Sequence, residues 1–271
     1  MTRFVRHYLL ALQFFTRVPV TGRLAQWVGY SPAMLRASAA HYPGVGWLVG
    51  AVAASSFGIA LMLLPDVSGA VWLAAVLGTV ATVLLTGAFH EDGLADTADG
   101  LGGGLTRERA LDIMKDSRIG TYGTLALVLA LLAKIAGLAM LAEVSPRLTV
   151  LALLGAHVVS RLAPMFLIRF MDHVGDTARS KSKPLADQMG NAGLLAGGAW
   201  TTPALVLLFW GSPGFHWVGA LAGAAVGLAV VQRLLWRRLQ GFTGDGLGAT
   251  QQVSELGFYL GLLIVLGTWP V

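Results

Sequence analysis

The sequence predicts an all-α fold, a polytopic helical bundle embedded in a membrane as a single domain over residues 1–271. Three observations support this prediction. First, 55% of the residues are hydrophobic and only 12% are charged, whereas about a quarter of the residues in soluble domains are charged. Second, apolar runs of about 20 residues, long enough to cross roughly 30 Å of hydrocarbon as a helix, recur along the chain. Third, the sequence lacks the alternation of polar and apolar residues that is typical of a β-barrel. Lipid also offers no hydrogen-bond partners to the backbone of an open strand.

The chain is expected to begin with a helix that lies in the membrane interface. In the stretch MTRFVRHYLLALQFFTRVPV, Tyr8 and Leu12 fall on an apolar face while Arg6 and Arg17 are polar. This pattern is typical of an amphipathic interfacial helix, here ended by Pro19. The stretch is not interpreted as a signal peptide, because its apolar part is short and no small-residue cleavage site follows it.

The distribution of basic residues predicts the orientation of the bundle. Seven transmembrane helices are expected, at residues 44–64, 67–89, 123–143, 148–168, 191–211, 215–235 and 254–270. Sixteen of the 19 Lys and Arg residues lie in four segments that this topology places on one side, 1–43, 90–122, 169–190 and 233–253. Because positive charge accumulates in cytoplasmic loops, the N-terminus and these segments are expected on the cytoplasmic side of a bacterial inner membrane. The net charge of +5 fits a lipid bilayer as partner and gives no reason to expect nucleic acid.

An acidic motif, HEDGLADTADGLGGG, directly follows the second apolar run. If that helix continues past Phe89, then Asp92, Asp96 and Asp99 share one face at i, i+4 and i+7. Their charges repel one another, and the helix dipole disfavours anions at a C-terminus. A divalent cation would remove both penalties, and an all-oxygen ligand set favours Mg²⁺ or Mn²⁺ over zinc. The alternative is a solvated acidic cap on a transmembrane helix.

A second acidic pair follows the motif. Asp112 and Asp116 lie at i, i+4 on a predicted new helix that Thr106 would cap. Gly100 and residues 102–104 provide a turn that would fold this helix back beside the first. The two acidic sets would then share one or two metal ions, an arrangement suited to neutralising the charge of a diphosphate.

Five other residues are candidates for substrate binding. Arg17, Lys115 and Arg118 are expected to contact phosphate. Lys181 lies in a basic segment, 175–190, that is either a phosphate-contacting loop or a solvated positive-inside loop. Asp245 lies in a glycine-rich segment before the last apolar run, where it would contact a metal or a hydroxyl group unless the segment is only a flexible loop.

Three ionisable residues fall within or near the apolar runs, Lys134, His157 and Arg161. Such residues indicate function by default, although His157 has the simpler interpretation of a hydrogen bond to a neighbouring helix. No role is assigned to them.

Small residues recur at every fourth position from 219 to 227, as Gly219, Gly223 and Gly227. This spacing allows helices to approach closely, either within one bundle or between subunits of a homo-oligomer.

Six blocks of the chain together resemble the adenosylcobinamide-GDP ribazoletransferase family, also called cobalamin synthase. The blocks are FFTRVPV (14–20), YPGVGWLVG (42–50), FHEDGLADTADGLGG (89–103), IMKDSRIGTYG (113–123), SRLAPM (160–165) and GFTGDGLGATQQVSE (241–255). The resemblance implies a late step of vitamin B12 biosynthesis with corrinoid and nucleoside substrates. In that step adenosylcobinamide-GDP transfers its adenosylcobinamide phosphate to α-ribazole or α-ribazole 5′-phosphate and releases GMP.

Within this family assignment, the carboxylates are expected to act as Mg²⁺ ligands and as a general base. Asp92, Asp96 and Asp116 are the expected core ligands, while Asp99 and Asp112 are further ligands or the base. Their spacing leaves the division of roles open.

Other functions compete with this one. Asp92-Gly93 with Ala95, followed by Asp112 and Asp116, is similar to the acidic signature of membrane CDP-alcohol phosphotransferases. A polytopic transporter is the second alternative, but transporters place polar sites near the midplane on paired repeats, and no repeat is evident here. A structural scaffold is the third, and it leaves the acidic motif unexplained.

Overall fold

The computed structural model describes residues 2–175 and 189–268, and their regular structure is helical, which confirms the predicted fold class. The helices are α1 (Thr2–Phe15), α2 (Gly22–Val28), α3 (Pro32–Ser38), α4 (Tyr42–Leu63), α5 (Ala70–Thr86), α6 (Phe89–Gly103), α7 (Arg107–Met114), α8 (Thr121–Val144), α9 (Pro146–Phe170), α10 (Asn191–Gly211), α11 (His216–Leu239) and α12 (Gly244–Thr268). A short 3₁₀ turn, Ala39–His41, joins α3 to α4.

Six helical segments of the described chain are long and apolar enough to cross a membrane. They are Pro32–Leu63, Thr121–Val144, Pro146–Phe170, Asn191–Gly211, His216–Leu239 and Gly244–Gly267. The pair α5 and α6 forms a seventh if it is counted as one broken span. The prediction of a multi-pass membrane protein is therefore confirmed, but the bounds of the second and the last predicted spans are corrected. The last helix begins at Gly244, ten residues before the expected start at 254, so the glycine-rich segment around Asp245 is helical.

The central helix of the bundle is α9. In the most apolar 18-residue stretch of α9, 78% of the residues are buried, whereas the corresponding figure for α10, at the periphery, is 22%. It packs against α4, α8, α10, α11 and α12. Polar residues on α9, such as His157 and Arg161, are therefore enclosed by protein.

The second predicted span does not continue straight into the acidic motif. Helix α5 ends at Thr86, and α6 starts at Phe89 at an angle of 89° to it. Gly87 and Ala88 both adopt positive φ, of 66° and 58°, and this left-handed pair ends α5 and turns the chain. The acidic motif therefore forms a separate helix.

The bend reverses the expected effect of the helix dipole. Glu91 and Asp92 lie in the first turn of α6, where the positive end of the dipole stabilises anions. The expectation that the carboxylates lie at a helix C-terminus is wrong for Asp92, whereas Asp99 lies near the C-terminal end of α6. Their spacing along one helix is as predicted.

The regularly spaced glycines of α11 pack against another helix of the same chain. A Cβ on Gly223 would overlap the backbone of Gly257 on α12, and one on Gly219 would overlap Gly261. The two helices therefore approach backbone to backbone, as small-xxx-small spacing predicts.

Candidate active site

The acidic helix α6 packs directly on the start of α12. A Cβ on Gly93 would lie 2.8 Å from the carbonyl oxygen of Asp245 and 3.2 Å from the Cα of Gly248. The start of α12 is fixed by Thr243, whose Oγ1 accepts a hydrogen bond of 3.0 Å from the Gly246 amide, as an N-cap does. This packing brings Asp245 beside the acidic motif.

Three carboxyl groups gather at this contact, and no basic side chain of the described residues is paired with them. The charges that act most on Asp96 are those of Asp245, Asp92 and Asp99. Asp92 is exposed, whereas Asp96 and Asp245 are partly buried. Within residues 2–175 and 189–268, no basic side chain lies within ion-pair distance of Asp92, Asp96 or Asp245. We call these three residues the acidic cluster.

Asp99 is engaged in holding two helices together. Its Oδ2 accepts a hydrogen bond of 2.7 Å from the Gly120 amide, and its Oδ1 accepts one of 2.8 Å from the Gly123 amide. Both amides belong to the start of α8, and the carboxylate is buried. A role as metal ligand or base, as predicted, would require Asp99 to share these oxygens.

Helix α7 folds back on α6 as the glycines predict. Thr106 caps α7, its Oγ1 accepting a hydrogen bond of 3.2 Å from the Arg109 amide. Gly100 and Gly104 lie against Ala110, where an added Cβ would come within 2.8 Å of backbone atoms. Both the cap and the turn are confirmed.

The acidic residues of this second set each lie beside a basic side chain. Asp116 is paired with Arg118 at 2.6 Å, and the hydrogen bonds from Arg118 lower the pKa of Asp116 to about 2. Asp112 lies 4.0 Å from Lys115, and its side chain is 65% exposed. Neither Asp112 nor Asp116 is among the charges that act most on Asp96, whereas Asp245 is. That the two acidic sets share a metal ion stays a prediction.

Arg17 lies where α5 turns into α6. Its amide donates a hydrogen bond of 2.7 Å to the Leu85 carbonyl, and a side chain on Gly87 would overlap its guanidinium. The guanidinium is exposed at the bend that precedes the acidic motif. Lys181, the other predicted phosphate contact, lies outside the described residues.

The donor set fits a hard divalent cation in chemistry but is not assembled as a cage. Carboxylate oxygens are ligands that Mg²⁺ prefers. In the part of the chain that the structure describes, however, no group of three or more His, Asp or Glu side chains is arranged to hold a metal ion.

Sequence reasoning missed three residues that support the site. Arg238 of α11 donates to the Leu101 carbonyl at 2.7 Å and to the Gly104 carbonyl, so it satisfies the C-terminal end of α6. Glu91 and Glu255 are buried in a polar network with Lys134. Arg238 was counted only for topology, and the placement of Glu255 inside an apolar span was the signal for the network.

Comparison with known proteins places this architecture in a family. The sequence model described as cobalamin-5-phosphate synthase matches residues 7–263. The chain belongs to the cobalamin-5-phosphate synthase family. The match spans the acidic cluster and every predicted site residue, so the resemblance carried by the six blocks is confirmed.

Relatives of this family align with the chain from end to end. A protein of Albidiferax ferrireducens is 56% identical over 98% of this chain and 100% of its own length. One of Polaromonas naphthalenivorans is 54% identical over 98% and 100%, and one of Vibrio cholerae is 42% identical over 96% and 94%. Each is named adenosylcobinamide-GDP ribazoletransferase. No solved structure is significantly similar to the chain.

Proposed function

We propose that this chain is an adenosylcobinamide-GDP ribazoletransferase whose active site is the acidic cluster. The observation that carries the proposal is the identity of 56% to a relative of that name over nearly the whole chain. The acidic cluster gives the chemistry a location, because it concentrates carboxyl groups on α6 and at the start of α12, and α6 begins directly after the bend at Arg17.

The proposed reaction exchanges one phosphorus–oxygen bond for another. A ribose hydroxyl oxygen of α-ribazole, or of its 5′-phosphate, attacks the phosphorus on the cobinamide side of the diphosphate. The bond from that phosphorus to the GMP oxygen breaks, and GMP leaves with the electron pair. The hydroxyl proton passes to a carboxylate of the acidic cluster, which acts as general base. Such a transfer depends mainly on positioning and on charge stabilisation.

The residues proposed to hold Mg²⁺, with Mn²⁺ as a substitute, are Asp92, Asp96 and Asp245. Magnesium in phosphoryl-transfer sites is usually held by one or two carboxylates together with substrate phosphates, so a complete protein cage is not required. When bound, the ion would neutralise charge on the diphosphate. Asp116, which the sequence predicts as a core ligand, would have to exchange its hydrogen bonds from Arg118 in order to bind the ion.

Arg17 is the proposed phosphate contact among the basic residues. Its guanidinium stands at the entrance to α6, and it makes no ion pair within the described chain. Arg118 is engaged by Asp116 and would have to exchange partners in order to bind substrate.

The membrane placement is part of the proposal. Four basic segments flank α6, α7 and the start of α12, so the acidic cluster would face the cytoplasm across a bacterial inner membrane. The corrinoid and nucleoside substrates would then enter from the cytoplasm.

The proposal is tested by assaying the purified chain in nanodiscs with adenosylcobinamide-GDP and α-ribazole. GMP and a cobalamin product should form in the presence of Mg²⁺, and neither should form when a chelator removes the Mg²⁺. Asp96→Asn should abolish product, while Asp66→Asn, at the opposite end of the bundle, should not. Uptake of substrate into proteoliposomes without any product would instead indicate a transporter.

A further inference from the structure

Besides Asp99, four charged side chains of the described residues are buried inside the bundle, next to the acidic cluster. Glu91, Lys134, Arg161 and Glu255 are 8%, 5%, 2% and 2% exposed. Charges at this depth in a membrane protein are costly and rare. Here two are positive and two are negative, so the set is formally neutral.

A continuous chain of polar contacts runs from α8 to the acidic motif. Lys134 Nζ lies 2.6 Å from Glu255 Oε1, and Gln251 Nε2 donates to Glu255 Oε2 at 2.8 Å. Gln252 Nε2 then donates to Gln251 Oε1 at 3.0 Å and to Glu91 Oε1 at 3.1 Å. These polar contacts therefore link α8, α12 and α6.

Helix α9 joins the same network. His157 Nδ1 lies 3.4 Å from Glu255 Oε2, and Arg161 Nη1 donates to the His157 carbonyl at 2.9 Å. Among the described side chains, Glu91 Oε2 and Arg161 Nε are buried without a hydrogen-bond partner. The network is thus tied to the central helix, and Glu91 depends on a single described hydrogen bond for its place.

Glu91 and Asp92 are adjacent but differ in exposure, since Glu91 is buried while Asp92 is exposed. Asp245 and Gln252 lie at i, i+7 on α12, and so on one face of that helix. The contact between Glu91 and Gln252 therefore joins the same two helices as the acidic cluster, about two turns deeper along α12.

We propose that Glu91 is a positioning residue, which locks α6 to the buried network through Gln252 and so holds Asp92 and Asp96 against Asp245. The inference rests on the proposed function of the acidic cluster. Because of the 89° bend before α6, α6 does not inherit its direction from α5. Contacts with other helices, that of Glu91 with Gln252 among them, therefore set its position. Outer partners that orient catalytic or metal-binding groups typically contribute about 10- to 100-fold to activity or metal affinity.

The first test measures turnover in Glu91→Ala and in the exchanged pair Glu91→Gln with Gln252→Glu. Glu91→Ala should lower kcat about 10- to 100-fold and raise the Mg²⁺ concentration for half-maximal rate, with the KM for α-ribazole little changed. Glu91→Gln alone keeps an acceptor oxygen for Gln252 Nε2, so it should recover most of the activity. Gln252→Glu alone places two carboxylates against each other and should stay impaired. The exchanged pair restores one carboxylate and one amide but loses the hydrogen bond to Gln251 Oε1, so it should recover only part of the activity. Glu143→Gln, at an exposed acidic residue, is the matched control.

A second test measures a distance between α6 and α12 and so does not depend on turnover. Because the chain contains no cysteine, spin labels can be attached at chosen sites. Labels on Gly103→Cys in α6 and Leu260→Cys in α12 should give a narrow distance distribution by pulsed EPR. Glu91→Ala should broaden or shift it. An unchanged distribution, or full kcat in Glu91→Ala, would overturn the inference. Absence of product from the unsubstituted chain would instead count against the proposed function, while the EPR result would still decide the role of Glu91.

Discussion

Gly93 of α6 and Gly248 of α12 lie so close that a Cβ added to Gly93 would stand 3.2 Å from the Cα of Gly248. This contact places the backbone of Asp245 beside the acidic motif. The candidate site therefore depends on two residues without side chains as well as on the carboxylates that they bring together.

Gly93→Ala should separate α6 from α12. The added methyl group would meet the Asp245 carbonyl oxygen at 2.8 Å, and overpacking of this kind costs about 1–3 kcal/mol. We expect a lower melting temperature in detergent and a larger loss of product formation. Gly198→Ala is the control, because its Cβ would meet nothing within 4 Å. Equal behaviour of the two variants would refute the close-contact explanation.

Gly87→Ala should disturb the bend and Arg17 together. Gly87 has φ of 66°, and a non-glycine residue in this region costs roughly 1–2 kcal/mol. The added methyl group would also displace the Arg17 guanidinium, so product formation should fall more than stability alone accounts for. Gly22→Ala separates the two effects, since Gly22 has φ of 60° and open space around it. If Gly22→Ala impairs the reaction as strongly, Arg17 has no special role at the bend.

Asp99→Asn should act on stability more than on chemistry. The buried carboxylate accepts two amide hydrogen bonds at the start of α8, and loss of a buried hydrogen-bond partner costs about 1–3 kcal/mol. The melting temperature should fall, while turnover per folded molecule should remain far above that of Asp96→Asn. Asp112→Asn, at a side chain 65% exposed, should change neither quantity much. A complete loss of turnover in folded Asp99→Asn would return this residue to the list of metal ligands or bases.

Lys134→Met should destabilise the bundle strongly. It leaves the Glu255 carboxylate buried without its partner at 2.6 Å, and breaking a buried ion pair costs about 3–5 kcal/mol. The double variant Lys134→Met with Glu255→Gln removes both charges and should recover much of the loss in thermal unfolding. Arg118→Ala, which breaks an exposed pair, should have little effect on stability. A double variant no more stable than Lys134→Met would show that charge compensation is not what Lys134 supplies.

The features that the sequence predicted correctly are those with local causes. Apolar runs gave the bundle, and Thr106 and the glycines after the acidic motif gave the cap and turn of α7. The bend at Ala88 was not predictable, because alanine favours a regular helix and adopts positive φ here through its surroundings. Asp245 was expected in a loop since glycines disfavour helices, yet packing on α6 holds that segment helical.

Contacts between distant segments explain what the sequence did not reveal about the site. The spacing of Asp92, Asp96 and Asp99 was right, but hydrogen bonds from α8 engage Asp99 and an ion pair engages Asp116. The pairing of Glu255 with Lys134 joins two helices far apart along the chain. No local pattern specifies such a partner, so Lys134 and Arg161 were noticed without a role.

The central claim, that the acidic cluster of Asp92, Asp96 and Asp245 performs the transfer, is tested most directly with Asp245→Asn. The measurement is the rate of GMP release from adenosylcobinamide-GDP with α-ribazole and Mg²⁺, compared with Asp112→Asn in the same nanodiscs. We expect a loss of at least about 100-fold for Asp245→Asn, as for removal of a catalytic electrostatic group, and near-normal release for Asp112→Asn. Near-normal release from Asp245→Asn, with loss in Asp112→Asn, would contradict the claim and place the active site on α7.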